Sequence, residues 1–342
     1  MCHLISYVLI YPLMATHRIF IAFVILFCCF CLPHLIEAEQ VFVDQSGNGN
    51  FTTIQKAIDS VPANNRNWFF INVAAGLYKE KIKIPRDKPF IVLVGAGTRK
   101  TRVEWDDHAT TEQSPTFATS ANNTVVKSLT FVNTYNLPNN GKVNKNITQA
   151  AAAMIEGDKC AFYSVGFAGI QDTLWDKNGR HFFHRCTIQG AVDFIFGSGQ
   201  SIYKNCDIQM LGETLEPGAG YITAQSRALP EDADGFVFID SLVHGNGTGK
   251  AYLGRPWGNY SRVIFCNTEL TNVVVPEGWV AWNLVGRESQ TTYAEVRCFG
   301  SGSSTRKRVR WVKKPSDPIV QSLCSLDFIN NGGWVQNLPI RG

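Results

Sequence analysis

Four polar side chains stand in apolar settings at a recurring interval. Gln149 opens QAAAAMIEG, Gln171 and Asp172 lie within GIQDTLW, and Asp193 lies within GAVDFIFG. The step from Gln149 to Gln171 is 22 residues, and from Asp172 to Asp193 it is 21. Two carboxylates brought together in apolar surroundings repel, and burial raises the cost of ionising both. Such a pair is stable when one member keeps its proton or a cation neutralises the other. Two carboxyls with separated pKa values are the equipment of acid/base chemistry. LGRPWGNY offers the cation in Arg255, whose guanidinium can grip a carboxylate through two parallel hydrogen bonds and keep it charged. Trp257, two residues on, offers a flat apolar face suited to a sugar ring. The bland alternatives are an internal ladder of stacked polar side chains and a surface Arg–Trp stack on a loop.

A common interval has meaning only if something in the fold repeats. The chain has 342 residues, 45% apolar and 18% charged, so a large core is available and wholesale disorder is excluded. Val41–Val43 reads as a strand, and Thr53–Val61 as the one convincing amphipathic helix, stopped at Pro62. Beyond it, short apolar runs of three to six residues alternate with turns and no helix intervenes. An antiparallel sandwich or barrel and a parallel β-helix both satisfy that pattern. Internal spacing favours the second. HFFHRCTIQ and SIYKNCDIQ are copies 20 residues apart, with Cys186 and Cys206 in equivalent positions, and FYSVGFAG at 162–169 is a looser earlier copy. A period of ~20–25 residues holding several short strands is one coil of a solenoid. Coils stack at the strand spacing of ~4.8 Å, so residues one period apart become neighbours. Gln149, Gln171, Asp172 and Asp193 would then share one face over three coils. Cys186 and Cys206 would be close enough to form a disulfide or to stack as free thiols.

Ile19–Leu32 is an unbroken apolar run behind His17 and Arg18, too short to span a bilayer comfortably. Residues 1–38 read as a signal peptide with cleavage after Ala38, Met14 being an alternative start; an uncleaved anchor is the competing reading. Cleavage removes four of ten cysteines and leaves six, an even number compatible with disulfides outside the cell. Sequons at Asn50, Asn122, Asn146, Asn246 and Asn259 suit a secreted glycoprotein. The net charge of +4 is too small to select a partner. The remaining histidines, His108, His181, His184 and His244, form no H-E-x-x-H, and no G-x-S-x-G elbow occurs, which argues against zinc and serine hydrolases. In HFFH the two histidines are expected to alternate inward and outward along a strand.

GLYKE (76–80), QAAAA (149–153), GIQDTLW, GAVDFIFG and LGRPW together resemble the ordered motif set of the plant pectin methylesterases, from about Val41 to Trp334. The resemblance implies an all-β, right-handed, single-stranded parallel β-helix with a short N-terminal helix cap, and a catalytic domain over 39–342 without an inhibitor-like pro-region. It implies Asp193 as nucleophile, Asp172 as general acid/base, Gln149 and Gln171 as oxyanion donors, and Arg255 as the group orienting Asp193. Thr116, in PTFATSA, and Trp257 would contact substrate, with Gln149 and Arg255. The implied substrate is methyl-esterified homogalacturonan, and a proteinaceous inhibitor is a candidate partner. No cofactor, metal, nucleic acid or membrane partner is implied, and a monomer in the cell wall is expected. Met154 and Trp175 depart from the family pattern. The rival readings are a β-helical polysaccharide lyase and a pectin-binding protein without activity. The basic stretch RKRVRWVKK (306–314) is expected to be a strand with solvated charges, or else an aid to holding polygalacturonate.

Overall fold

The computed structural model describes residues 39–138, 147–215 and 218–341. The signal-peptide reading and the Asn146 sequon lie outside them. The described strands form three sheets of ten, eight and seven members, and every strand pairing is parallel. One coil runs Arg180–His184 in the first sheet, Thr187–Gly190 in the second and Val192–Gly197 in the third. Gln200–Lys204 then returns to the first sheet, one step along the axis. This is the right-handed single-stranded parallel β-helix.

Each strand alternates inward and outward, and the inward residues stack on their equivalents. Phe162, Phe183, Tyr203, Phe238 and Phe265 form a column with successive ring centroids 5.0, 4.5, 4.6 and 4.5 Å apart. Spacings in this range suit offset stacking. His181 points inward and His184 outward, as alternation requires. The inner His181 is fully buried and lies 2.5 Å from Asp176 Oδ1 and 2.8 Å from the Gly157 carbonyl. Tyr203 donates to the other Asp176 oxygen at 2.5 Å, so no polar atom of this cluster is left unpaired. The outer face of the first sheet is also covered. Val125, Phe182, Ile202, Val237 and Ile264 pack beneath Val320, Ile329, Trp334, Val335 and Leu338 of the C-terminal segment. Burial on both faces explains why these strands read as continuous apolar runs.

The ends of the core are closed by different devices. At the N-terminal end, the helix Ile54–Ser60 buries Ile54, Ala57 and Ile58 against the core. Thr53 caps it, and the Glu80 carboxylate of GLYKE accepts from the Ile54 and Gln55 backbone N–H groups at 2.9 Å each. A carboxylate there satisfies orphan donors and meets the positive end of the helix. At the other end, the basic stretch 306–314 is not a strand. A 3-10 turn, Thr305–Lys307, leads into Arg308, whose guanidinium grips Glu295 at 2.8 and 3.0 Å; both side chains are 5% exposed. Val309, Trp311 and Val312 pack on the core beside it. The stretch therefore closes the last coil, and Arg308 is committed inward rather than solvated.

Of the two arrangements open to Cys186 and Cys206, the structure has the free thiols. Both are free, buried thiols on adjacent coils, donating to the carbonyls of Phe162 and Phe183 at 3.4 and 3.6 Å. In-register stacking keeps their Cα–Cβ vectors parallel, whereas a disulfide needs them to converge to ~3.8 Å between Cβ atoms. The disulfide joins Cys266, on the outer face of the first sheet, to Cys324 after the helix Pro318–Leu323.

Candidate active site

The interval seen in the sequence becomes contact across coils. Gln171 pairs with Val192 in an isolated parallel bridge, the Asp172 N–H donates to the Val192 carbonyl at 3.1 Å, and the Ala150 N–H donates to the Gln171 carbonyl at 3.2 Å. Gln149, Gln171, Asp172 and Asp193 are thereby brought to one face, where they line a cleft of about 470 Å³ together with Arg255 and Trp257.

Local backbone geometry aims the carboxylates. Along Val192–Gly197 the register with Ala219–Gln225 shifts between Val192 and Ile195, a bulge that contains Asp193. Asp193 has φ +48° and Asp172 φ +60°, both left-handed. A bulge with a left-handed residue re-aims a side chain that strand alternation would otherwise fix. Gly190 is needed for the tight return, because a Cβ there would lie 2.1 Å from the Phe194 Cβ.

Arg255 follows the strand Lys250–Gly254 and reaches back to Asp193. Its Nε donates to Oδ1 at 2.8 Å and its Nη2 donates to Oδ2. The guanidinium is itself held between two rings, 4.1 Å from the Tyr221 centroid and 4.4 Å from that of Trp282. Trp257 Nε1 lies 3.4 Å from Asp193 Oδ2, while its ring is 58% exposed at the cleft edge. Asp172 has no such cation. Burial first, and the Asp193 charge second, push its carboxyl up to about 7 against an opposing pull from Arg255. The two aspartates are therefore unequal: one fixed in a bidentate ion pair, the other able to hold a proton near neutrality.

The amides of Gln149 and Gln171 line the cleft without a hydrogen-bond partner among the described residues, so their N–H groups are free to meet an oxygen brought in from outside. Thr116 departs from expectation. Its side chain is fully buried and its hydroxyl donates to the Val132 carbonyl at 2.9 Å, so it lines the coil and not the cleft. The turn before it, where Gln113 and Ser114 donate to the Thr110 carbonyl, presents Thr111 and Glu112 to the cleft instead. Trp175, stacked on Phe196 at 5.4 Å, supplies a further aromatic wall. Sequence reasoning missed Glu112, Tyr221 and Trp282. Only Trp282, in GWVAW, left a usable trace there.

Comparison with known proteins agrees with this geometry. Residues 40–330 match the family model described as Pectinesterase. The chain is 70% identical to probable pectinesterase 29 of Arabidopsis thaliana over 96% of its own length and 99% of that protein, and 69% identical to probable pectinesterase 55 of the same plant over 96% and 100%. Its fold is similar to that of the pectin methylesterase from carrot, with a TM-score of 0.82 and 28% identity over 90% of this chain and 98% of that one. It is also similar to a pectin methylesterase solved in complex with a hexasaccharide, with a TM-score of 0.72 and 25% identity over 86% and 97%. A β-helix carrying two unequal aspartates, an arginine clamp and two free amides, matched along nearly its whole described length, belongs to the pectinesterase family.

Proposed function

We propose that this protein hydrolyses the methyl esters of galacturonate units in pectin, releasing methanol and leaving carboxylates on the polymer. Asp193, gripped through both oxygens by the Arg255 guanidinium, attacks the ester carbonyl carbon through a carboxylate oxygen. The carbonyl electrons move onto oxygen, where the Gln149 and Gln171 side-chain N–H groups receive them. Asp172, protonated, gives its proton to the departing methoxide oxygen as the tetrahedral intermediate collapses to an acyl-enzyme. Now ionised, Asp172 takes a proton from water. The hydroxide so formed attacks the acyl carbon and the bond to Asp193 breaks, freeing the Asp193 carboxylate and a galacturonic acid that loses its proton to solvent, with Asp172 again protonated. Trp257 lies where it can face the sugar ring. Trp175 and Glu112 replace Thr116 as further walls against which the polymer can lie. One observation carries this reading above the others: Arg255 engages both oxygens of Asp193 and leaves Asp172 to hold the proton.

The polysaccharide lyase and the inactive binder are weaker readings. A lyase has no use for two unpaired amides facing a carboxylate nucleophile, and an inactive relative is expected to have lost part of the set. Export from the cell fits the apolar run in 1–38, the Cys266–Cys324 disulfide and the exposed sequons at Asn50, Asn122, Asn246 and Asn259. The test is methanol release from methylated pectin. Asp193→Asn should lower it by about a thousandfold or more while leaving the folded protein intact. Near-normal release from that variant would defeat the assignment.

A further inference from the structure

A second cavity, about 520 Å³, lies away from the catalytic cleft, on the outer face of the first sheet beneath the C-terminal segment. Its floor is apolar, built by Tyr163, Phe182 and Ile202. Its polar rim is basic. Tyr163, His184 and Lys204 occupy the last positions of three strands paired in register, and Lys127 pairs with Tyr163 one coil earlier. Arg341 faces them from the C-terminal segment. Among the described residues no carboxylate side chain lines the cavity. Among the described residues the Lys204 ammonium has no hydrogen-bond or ion-pair partner, and the Arg341 guanidinium meets only the Gln336 carbonyl. Cations are normally paired with acids or solvated singly. Here the Lys204 ammonium and the Arg341 guanidinium lie without an acid beside an apolar floor, whereas the Lys127 ammonium donates to the Arg341 carbonyl at 2.8 Å, and burial, then the Arg185 and Lys204 charges, hold His184 below its ordinary value.

The catalytic cleft has the opposite character. Asp172, Asp193 and Glu112 line it, and Arg255, its cation, is already committed to Asp193. Each ester removed adds a negative charge to the polymer, and among the described residues the cleft offers that charge no uncommitted cation. We propose that the basic groove under the C-terminal segment is a second, non-catalytic site for carboxylated galacturonan, holding the reaction's product on a different face of the β-helix. Sugar C–H faces would lie on the apolar floor, and carboxylates would meet Lys204 and Arg341. This inference rests on the esterase reading for the identity of its ligand, although the groove itself does not.

The test uses the full wild-type protein and a short, fully de-esterified oligogalacturonate, which offers no ester to cleave. Calorimetric titration should show two classes of site, and the groove class should weaken as salt is raised. Lys204→Glu combined with Arg341→Glu should weaken that class by about tenfold or more, the sum of several exposed charge contacts. The other class, and methanol release from short methylated substrates, should be unchanged. Trp257→Ala should do the reverse. The single variant Lys204→Gln, which only removes charge, should give an intermediate loss at an unchanged melting temperature. Binding by the charge-reversed protein equal to wild type would overturn the proposal. So would a single class of site abolished by Trp257→Ala, or equal uptake in the groove of a fully methylated, neutral oligosaccharide. Absence of methanol release from wild type would instead defeat the esterase reading, and the titration would still decide the groove.

Discussion

Asp172→Asn isolates what burial does to this carboxyl. The folded protein holds the group at about 7 against an ordinary 3.8, mainly through burial and then through the Asp193 charge. The difference is about three pKa units, and each unit is worth about 1.4 kcal/mol, so ionising Asp172 inside the fold costs up to about 4 kcal/mol more than in the unfolded chain. The folded value is raised, so the fold retains the proton. The stabilisation is fully present below about pH 4, declines as pH rises and is gone above about pH 7. Asparagine keeps the shape and cannot ionise, so its advantage over aspartate must grow across that window. Any constant difference in hydrogen bonding cancels when two pH values are compared. The expected extra stability of Asp172→Asn at about pH 8 relative to about pH 4 is roughly 3 kcal/mol, or about 6 °C in melting temperature for a chain of this size. Thermal unfolding of both proteins at both pH values measures it. An equal change at the two pH values would refute the account, because Asp172 would then carry no ionisation penalty and could not be the member that stores the proton. Methanol release should fall to near background in the same variant at either pH.

Arg255→Lys keeps a positive charge and loses the fork that meets both Asp193 oxygens. Turnover should fall by about ten- to a hundredfold with KM little changed, as steady-state kinetics will record. Arg308→Ala leaves Glu295 buried without its cation, with only the Trp279 Nε1 hydrogen bond remaining, and should cost about 3–5 kcal/mol in denaturant unfolding. Cys324→Ser opens a cross-link between residues 58 apart and should lower stability by about 4 kcal/mol, releasing the C-terminal segment to proteolysis first. Alkylation of the unfolded, non-reduced protein should find Cys160, Cys186, Cys206 and Cys298 free.

What the sequence made legible is what repeats. A parallel coil converts a step of 20 to 22 residues into contact, so the Gln149, Gln171, Asp172 and Asp193 cluster followed from counting, as did the inward and outward placement of His181 and His184. The features that escaped are those where the chain leaves the repeat. Cys266 meets Cys324 because a long C-terminal segment folds back over the outer face of the first sheet, and no period predicts that return. Arg308 looked solvated because its neighbours are basic, yet the open end of the solenoid leaves an inward carboxylate, Glu295, which accepts from Trp279 Nε1 and takes its countercharge from Arg308 beyond the last strand. Thr116 was assigned by motif, but it sits a few residues past the turn that presents Thr111 and Glu112 to the cleft. Tyr221 and Trp282 converge on Arg255 from different elements, with no interval linking them.

The left-handed backbone at both aspartates joins the chemical and conformational demands of the site. The bend after most first-sheet strands already uses such residues, among them Ser164, Arg185, Asn205 and Asp240, with φ from +51° to +55°. The solenoid thus tolerates this geometry at its corners, and it costs an L-residue about 1–2 kcal/mol, least for Asp and Asn. At Asp172 and Asp193 the same geometry falls within the cleft, where a carboxylate is needed. Glutamate would supply the acid, but it fits the left-handed backbone less well and reaches one bond too far for the Arg255 fork. Alanine would remove the acid and lose the side chain that makes the backbone tolerable. Aspartate alone meets both requirements, and asparagine alone removes the charge while keeping the conformation. Substitution by asparagine therefore reports chemistry at these two positions, whereas alanine and glutamate would report a mixture of chemistry and backbone strain.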